Sequence, residues 1–313
     1  MLFEKKLFTR RNLCYHGFGG MLMMKRLTLL LTCLLLPVAA LADPLPFYPY
    51  TFSGKVAATY DTPTLKYSVE SFYYQNASCY VAKIWMADPG RQIRKGTANW
   101  EVDLELPSVM AEDVPGAALV VNGSGYVSPI FPWIPEDYPG VSEDYHYTPL
   151  GSLTITDGQI FRNLPGVLFY GLTLQEDGLH MHIAEENEEV LAQHPTQTWS
   201  FYIECPVIVN HQSILDPDWR FTKSPAIRTM VAKMDDNNYI TLTVTGRPVG
   251  LTMAQCVKLL QTKFDPEWAY NLDGGPSSAL LVRGVGETEL TALHGNKTQD
   301  TDVMAFIELE TDE

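Results

Sequence analysis

Three stretches in the second half of the chain alternate apolar and polar residues up to a tight-turn signal and then resume the alternation. They are SLTITDGQIF, turning at Asp157-Gly158, LTLQEDGLHMHI, turning at Asp177-Gly178, and MVAKMDDNNYITLTVTG, turning around Asp236 to Asn238. Side chains on a strand point alternately to opposite faces, so this period buries one face and wets the other, while Asp-Gly supplies the positive φ of a tight hairpin. Between Tyr48 and Trp100, GKVAATY, LKYSVESFYYQ and SCYVAKIWMA carry the same alternation or enrichment in β-branched and aromatic residues. One segment has helical period instead. In LTMAQCVKLLQTKF, Thr252 and Gln255 form a capping box, Met253, Cys256, Val257 and Leu260 mark one apolar face, and Pro266 lies just beyond. Many strands with one good helix predict an α+β fold with a mixed or antiparallel sheet core. The expected organisation is a signal peptide over 1–42, a strand-rich segment over 43–110 that packs on the main domain, and a main domain over 111–313.

The signal peptide is read from MKRLTLLLTCLLLPVAALA: a basic start at Lys25 and Arg26, an apolar run from Leu27 to Val38, and an Ala40-Leu41-Ala42 cleavage site before Asp43. The run is short for a membrane span, and no other stretch suggests an anchor, so a secreted or periplasmic protein is expected. Beyond residue 42 the chain has 16 basic and 36 acidic residues, a net charge of −20. Nucleic acid is therefore an unsuitable partner, since its phosphates require a basic face. Any anionic substrate must be met by a few locally placed arginines. Cys79, Cys205 and Cys256 fit one disulfide plus a free thiol or three buried thiols equally well.

Residues 127 to 149, VSPIFPWIPEDYPGVSEDYHYTP, hold five prolines and no period. A loop this long is usually functional, and Phe131, Trp133, Tyr138, Tyr145 and Tyr147 are suited either to stacking on sugar rings or to packing the loop onto the body. The densest small-residue cluster is NLDGGPSSAL, from Asn271 to Leu280, directly behind the apolar run WAYNL. An acid at a strand end is held by packed backbone yet faces a cleft. Gly274 and Gly275 can adopt positive φ and turn N–H groups toward an anion, while Ser277 and Ser278 add hydroxyls. The plainer alternative is an Asp-Gly turn with a solvated acid.

AYNLDGGPSSALLVRG resembles the signature of the phosphodiester glycosidase family. The resemblance extends to ALVVNGSGY (Ala118 to Tyr126), to TWSFYIECPVIVNHQSI, and to SPAIRTMVAKMDDNNYITLTVTGRPVGLTMAQCVKLL, in family order over roughly residues 115 to 285. It implies catalytic roles for Asp273 and Arg228 and substrate contacts at Asn122, Gly123, Arg247, Gly274, Gly275, Ser277 and Ser278. Cleaving a sugar-1-phosphodiester builds oxocarbenium character at the anomeric carbon and pushes electrons onto phosphate. On that basis Arg228, with turn N–H groups, is expected to hold the phosphate, Asp273 to act as a general base or to stabilise positive charge, and Asn122 to hold a sugar hydroxyl or N-acetyl group. Arg247, at a strand end before Pro248, reads more as a structural residue. The chain departs from the family pattern at Ser124, Thr245, Cys205-Pro206 and Asp300/Asp302.

No cofactor is expected, and a divalent metal stays open. His180 and His182 share one face of a hairpin strand and read as solvent-facing side chains rather than ligands, since a metal site needs three or four converging groups. The expected substrate is a carbohydrate or sugar phosphate in cell-envelope or extracellular glycan. Two alternatives carry their own expectations. A non-catalytic glycan-binding protein would bind without turnover, and a two-carboxylate glycoside hydrolase would place a second acid, Asp300 or Asp302, roughly 5–10 Å from Asp273.

Overall fold

The computed structural model describes residues 54–99, 104–127 and 148–310; the signal-peptide reading and the aromatic loop over 128–147 lie outside them. In chain order, β1 (Lys55–Asp61), β2 (Leu65–Tyr74) and β3 (Ala77–Met86) lead through α1 (Pro89–Gln92) to β4 (Ile93–Thr97), α2 (Pro107–Glu112) and β5 (Ala117–Asn122). Then come β6 (Tyr126–Val127), β7 (Thr148–Pro149), β8 (Leu153–Thr156), β9 (Gln159–Asn163), β10 (Phe169–Gln175), β11 (Gly178–Glu185), α3 (Asn187–Leu191) and β12 (Gln197–Ser200). The chain continues through β13 (Pro206–Val209), β14 (Gln212–Ser213), α4 (Arg220–Lys223), β15 (Arg228–Lys233), β16 (Asn238–Pro248) and α5 (Met253–Lys263). It ends with β17 (Trp268–Gly274), a 3-10 turn at Gly275–Ser277, β18 (Leu280–Val282), β19 (Thr291–His294) and β20 (Asp302–Ile307).

Two antiparallel sheets dominate. The larger has the order β1-β2-β3-β16-β15-β17-β13-β14 and the smaller β19-β18-β5-β20-β4. The early strands are integral to both: β3 pairs with β16 from Asn238↔Trp85 to Val244↔Cys79, and β4 pairs with β20 from Asp302↔Thr97 to Phe306↔Ile93. One buried cluster joins Val69, Ile84, Val231, Tyr270 and Leu272 of the large sheet to Leu119, Val121, Leu280, Met304 and Phe306 of the small one. The alternate residues face outward. Met230, Ala232 and Leu242 pack with Met253, Cys256 and Leu260 of α5, and Val120, Leu281 and Val303 pack with Met110 of α2. The sheets thus share an inner core, and one helix covers each outer face.

The turn chemistry accounts for the local register. The β8–β9 hairpin closes through Asp157 (φ 49°) and Gly158 (φ 77°), both left-handed, as a type I′ turn requires. In the next hairpin Gln175 pairs with Gly178, so the loop is Glu176-Asp177, one residue earlier than the Asp-Gly pattern suggested. Gly178 (φ 122°) instead opens β11, where a Cβ would lie 2.7 Å from the Tyr239 hydroxyl. The capping box on α5 is formed in both directions, with Thr252 N donating to Gln255 Oε1 at 2.8 Å and Gln255 N to Thr252 Oγ1 at 3.2 Å. Cys79, Cys205 and Cys256 are buried free thiols, each pushed up to about 12 by desolvation. His182 is not solvent-facing: its ring is buried between Thr173 Oγ1 at 2.8 Å and Glu185 Oε2 at 2.9 Å, whereas His180 reaches Asp177 at 2.6 Å.

Candidate active site

β17 lies between β15 and β13 in the large sheet with Tyr270 and Leu272 in the core, and its end brings Asp273 to the C-terminal end of β5, the central strand of the small sheet. The Asp273 N–H donates to Gly123 O at 3.0 Å, just past the end of β5. Asn122, the last residue of β5 and fully buried, donates from Nδ2 to Asp273 O at 2.9 Å and accepts the Ala279 N–H on Oδ1 at 3.1 Å. One amide therefore fastens both the entry and the exit of the Asp273–Ala279 turn. Gly275 has φ 62° with open space around it, so backbone conformation selects glycine there; at Gly274 a Cβ would stand 2.8 Å from Ile227 O, so space selects it.

Two more acids lie beside Asp273. Asp302 accepts the Ser124 N–H on Oδ1 at 2.6 Å, and its carbonyl accepts the Gly123 N–H at 3.0 Å. Its other carboxylate oxygen is 3.4 Å from Lys95 Nζ, both side chains having 0% exposure. Lys95 also sits 5.4 Å from the centre of the Trp199 ring. A Cβ on Gly123 would come within 1.8 Å of Asp302 Oδ1, so only glycine allows this close approach. Asp300, also fully buried, accepts the Thr301 N–H at 2.8 Å and exchanges backbone hydrogen bonds with Glu105.

Of the three acids only Asp273 is partly accessible. Burial raises its carboxyl to about 6, helped by the Asp302 charge and opposed by the Gly274 N–H and the Ser277 hydroxyl. Burial, then the charges of Asp273 and Asp302, hold Asp300 well above the usual carboxylate range. Acids this close do not all ionise together, so Asp300 keeps its proton while Asp273 titrates. Near neutral pH the site presents one accessible carboxylate backed by a neutral acid and a buried ion pair. Such a group can take a proton from water or face a developing cation.

Asn122, Gly123, Asp273, Gly274, Gly275, Ser277 and Ser278 thus converge, though not all in the expected manner. The Asn122 amide is fully buried and bonded to backbone on both Nδ2 and Oδ1, so it fastens the turn rather than facing a sugar as the sequence suggested. Three N–H groups of the turn are already engaged within the protein. Gly274 N–H donates to Asp273 Oδ1 at 2.7 Å, Gly275 N–H to Ile227 O at 3.0 Å, and Ser278 N–H to Gly275 O at 3.3 Å. Arg228 pairs across the sheet with Gly274, but its guanidinium turns toward α4 and Leu251. There Nε donates to Leu251 O at 3.1 Å, and Nη2 donates to Phe221 O and Ser224 O at 2.9 Å each. Arg247 lies near the end of β16, and its side chain is outside those described. Asp300 and Asp302, the acids named by the two-carboxylate alternative, interact electrostatically with Asp273, and both are fully buried. Lys95, in IRKGT, gave no sequence signal, because only the pairing of β4 with β20 brings it to Asp302.

Beside the site, Gly125 approaches the Phe201 ring closely enough that a Cβ would meet it at 2.0 Å, and Phe201 lines a cavity of about 370 Å³. Tyr170, Tyr202, Ser152, Arg162 and Leu164 share its wall. Among the described residues no three His, Cys, Asp or Glu side chains are arranged to hold a metal ion. No helix among them is long and apolar enough to cross a membrane.

The phosphodiester glycosidase family model matches residues 116–306. In fold, the chain is similar to the catalytic domain of zebrafish N-acetylglucosamine-1-phosphodiester alpha-N-acetylglucosaminidase in a form auto-inhibited by its pro-peptide. That match has 17% identity and a TM-score of 0.57, over 82% of this chain and 87% of that one. It is also similar to a hypothetical protein from Synechocystis, with 12% identity and a TM-score of 0.50, over 80% of this chain and 63% of that one. No curated protein matched the sequence. Because the family match covers more than half of the chain and contains the whole Asn122–Asp273–Asp302 constellation, the chain belongs to the phosphodiester glycosidase family.

Proposed function

We propose that this protein hydrolyses a glycosidic bond to phosphate, in a sugar-1-phosphodiester of envelope or extracellular glycan, with Asp273 as the reacting carboxyl. The observation that carries this reading is the environment of Asp273: a partly accessible acid at a strand end, raised to about 6, on a turn fastened by Asn122. Phosphate is a good leaving group, so the hydrolysis needs little acid catalysis at the departing oxygen and depends on the sugar side. There, the Asp273 carboxylate takes a proton from the attacking water or stabilises the oxocarbenium-like transition state. The cavity next to Phe201, with its aromatic wall, is suited to the rest of the substrate. The signal-peptide sequence supports export, and the activity for which the zebrafish enzyme is named makes N-acetylglucosamine-1-phosphodiesters the first substrates to try.

The two-carboxylate alternative loses ground on accessibility. Asp300 and Asp302 neighbour Asp273, but both are fully buried and cannot reach a leaving-group oxygen. Phosphorus NMR on a panel of sugar-1-phosphodiesters, beside aryl glycosides and with and without divalent metal, tests the proposal. Release of free sugar and a phosphomonoester is the expected result. Saturable glycan binding with no turnover of any member would leave the glycan-binding reading in its place.

A further inference from the structure

The least expected group near the site is the Lys95 ammonium. It lies on β4, opposite Met304 of β20, with 0% side-chain exposure, 3.4 Å from Asp302 and against the Trp199 ring. An ion pair this deep is a poor means of stabilising a fold, since desolvation offsets most of the attraction and a packed apolar pair would serve as well. Its position in the hydrogen-bond network suggests another role. Asp302 Oδ1 holds the Ser124 N–H, Asp302 O holds the Gly123 N–H, and Gly123 O holds the Asp273 N–H. The ammonium thus meets Asp302 as an ion pair at 3.4 Å rather than through a hydrogen bond, and from Asp302 hydrogen bonds lead through the Gly123–Ser124 loop to the Asp273 main chain.

We propose that Lys95 is a positioning residue for Asp273: by pairing with the Asp302 carboxylate, it locks the Gly123–Ser124 loop against β17 and fixes the acid that stands beside the reacting group. Its catalytic consequence rests on the reading of Asp273 given above, whereas the electrostatic claim does not. The direction of the effect separates this arrangement from simple proximity. The groups acting on Asp273 are Asp302 and Asp300, the Gly274 N–H and the Ser277 hydroxyl; Lys95 acts only through Asp302. Burial lowers the pKa of the Lys95 ammonium, and Asp302 and, after it, Asp157 oppose that shift, so the lysine's charge depends on its partner as well. Without Lys95, Asp302 is a buried carboxylate with no cation and takes up a proton. The negative charge beside Asp273 then vanishes, and Asp273 titrates at lower pH. A cation acting directly across space would have the opposite effect, its removal raising the titration.

The test is carboxyl carbon-13 NMR on aspartate-labelled full-length protein, with the Asp273 signal assigned by its loss in Asp273→Asn. In Lys95→Met and in the near-isosteric Asp302→Asn, the Asp273 midpoint should fall by roughly one pH unit, while Lys95→Arg keeps it in place. Asp302→Asn carries the test if Lys95→Met does not fold. An unchanged or raised midpoint in Lys95→Met, or an unmoved midpoint in Asp302→Asn, overturns the proposal. If the NMR midpoint falls but the acid limb of the rate profile stays where it was, the relay stands and the assignment of Asp273 as the reacting group fails.

Discussion

Replacing Asn122 by alanine separates a structural amide from a substrate-binding one. In the structure the side chain makes two bonds, to Asp273 O at 2.9 Å and from Ala279 N at 3.1 Å, with no exposed surface. Truncation leaves a carbonyl and an N–H without partners in the interior, each costing about 1–3 kcal/mol, so a loss of about 2–6 kcal/mol is expected. That is a large share of a typical domain stability of about 5–15 kcal/mol. With a urea m-value of about 3 kcal/mol/M, the midpoint should fall by about 1 M at unchanged slope. The assay is urea unfolding followed by tryptophan fluorescence, in parallel with kcat and KM. Turnover should drop because the Asp273 turn loosens, with KM less affected. A midpoint within about 0.2 M of wild type together with a large rise in KM would refute the reasoning and return Asn122 to the sugar.

Arg228→Lys loses the planar fork that reaches three carbonyls and should destabilise the protein by about 2–4 kcal/mol, while KM for a phosphodiester changes less than about threefold; a tenfold KM rise at unchanged stability would show that the guanidinium meets phosphate after all. Asp300 holds its proton more tightly folded than unfolded, so its contribution to stability is greatest below the unfolded pKa, about 4, and declines as pH rises toward the folded value. Asp300→Asn, neutral at every pH, should flatten the decline in urea midpoint between pH 4.5 and 8 and raise the midpoint at pH 8. A midpoint lowered at pH 8 would contradict this linkage.

The features legible in the sequence were those written locally. Asp157-Gly158 marked its hairpin because two consecutive left-handed residues are a property of the turn itself, and Thr252 and Gln255 marked the start of α5 because a capping box is complete within four residues. The Asp273 turn was legible in part, as a strand end followed by glycines: Gly275 takes the positive φ expected of both, whereas Gly274 is extended and is glycine for reasons of space. Roles that depend on distant partners were not. Asn122 reads as a free amide until Asp273 and Ala279 arrive from more than 150 positions away, and Arg228 reads as a phosphate ligand until three carbonyls surround it. Lys95 is invisible for the same reason, since its partner comes from the last strand of the chain. His182 followed strand alternation but met Thr173 and Glu185 rather than solvent, because its face of the hairpin is the one that carries the buried Phe169 ring, 5.8 Å away.

The most direct measurement is the pH dependence of kcat/KM for a sugar-1-phosphodiester, compared between the wild type and Asp273→Asn. With Asp273 as the base, the rate should rise through an inflection at about pH 6 and level off above it. The asparagine variant should lose that inflection and about 10²–10⁴-fold in rate while unfolding at the same urea concentration. A variant of unchanged fold that keeps the wild-type rate and profile would contradict the claim that this carboxyl does the chemistry.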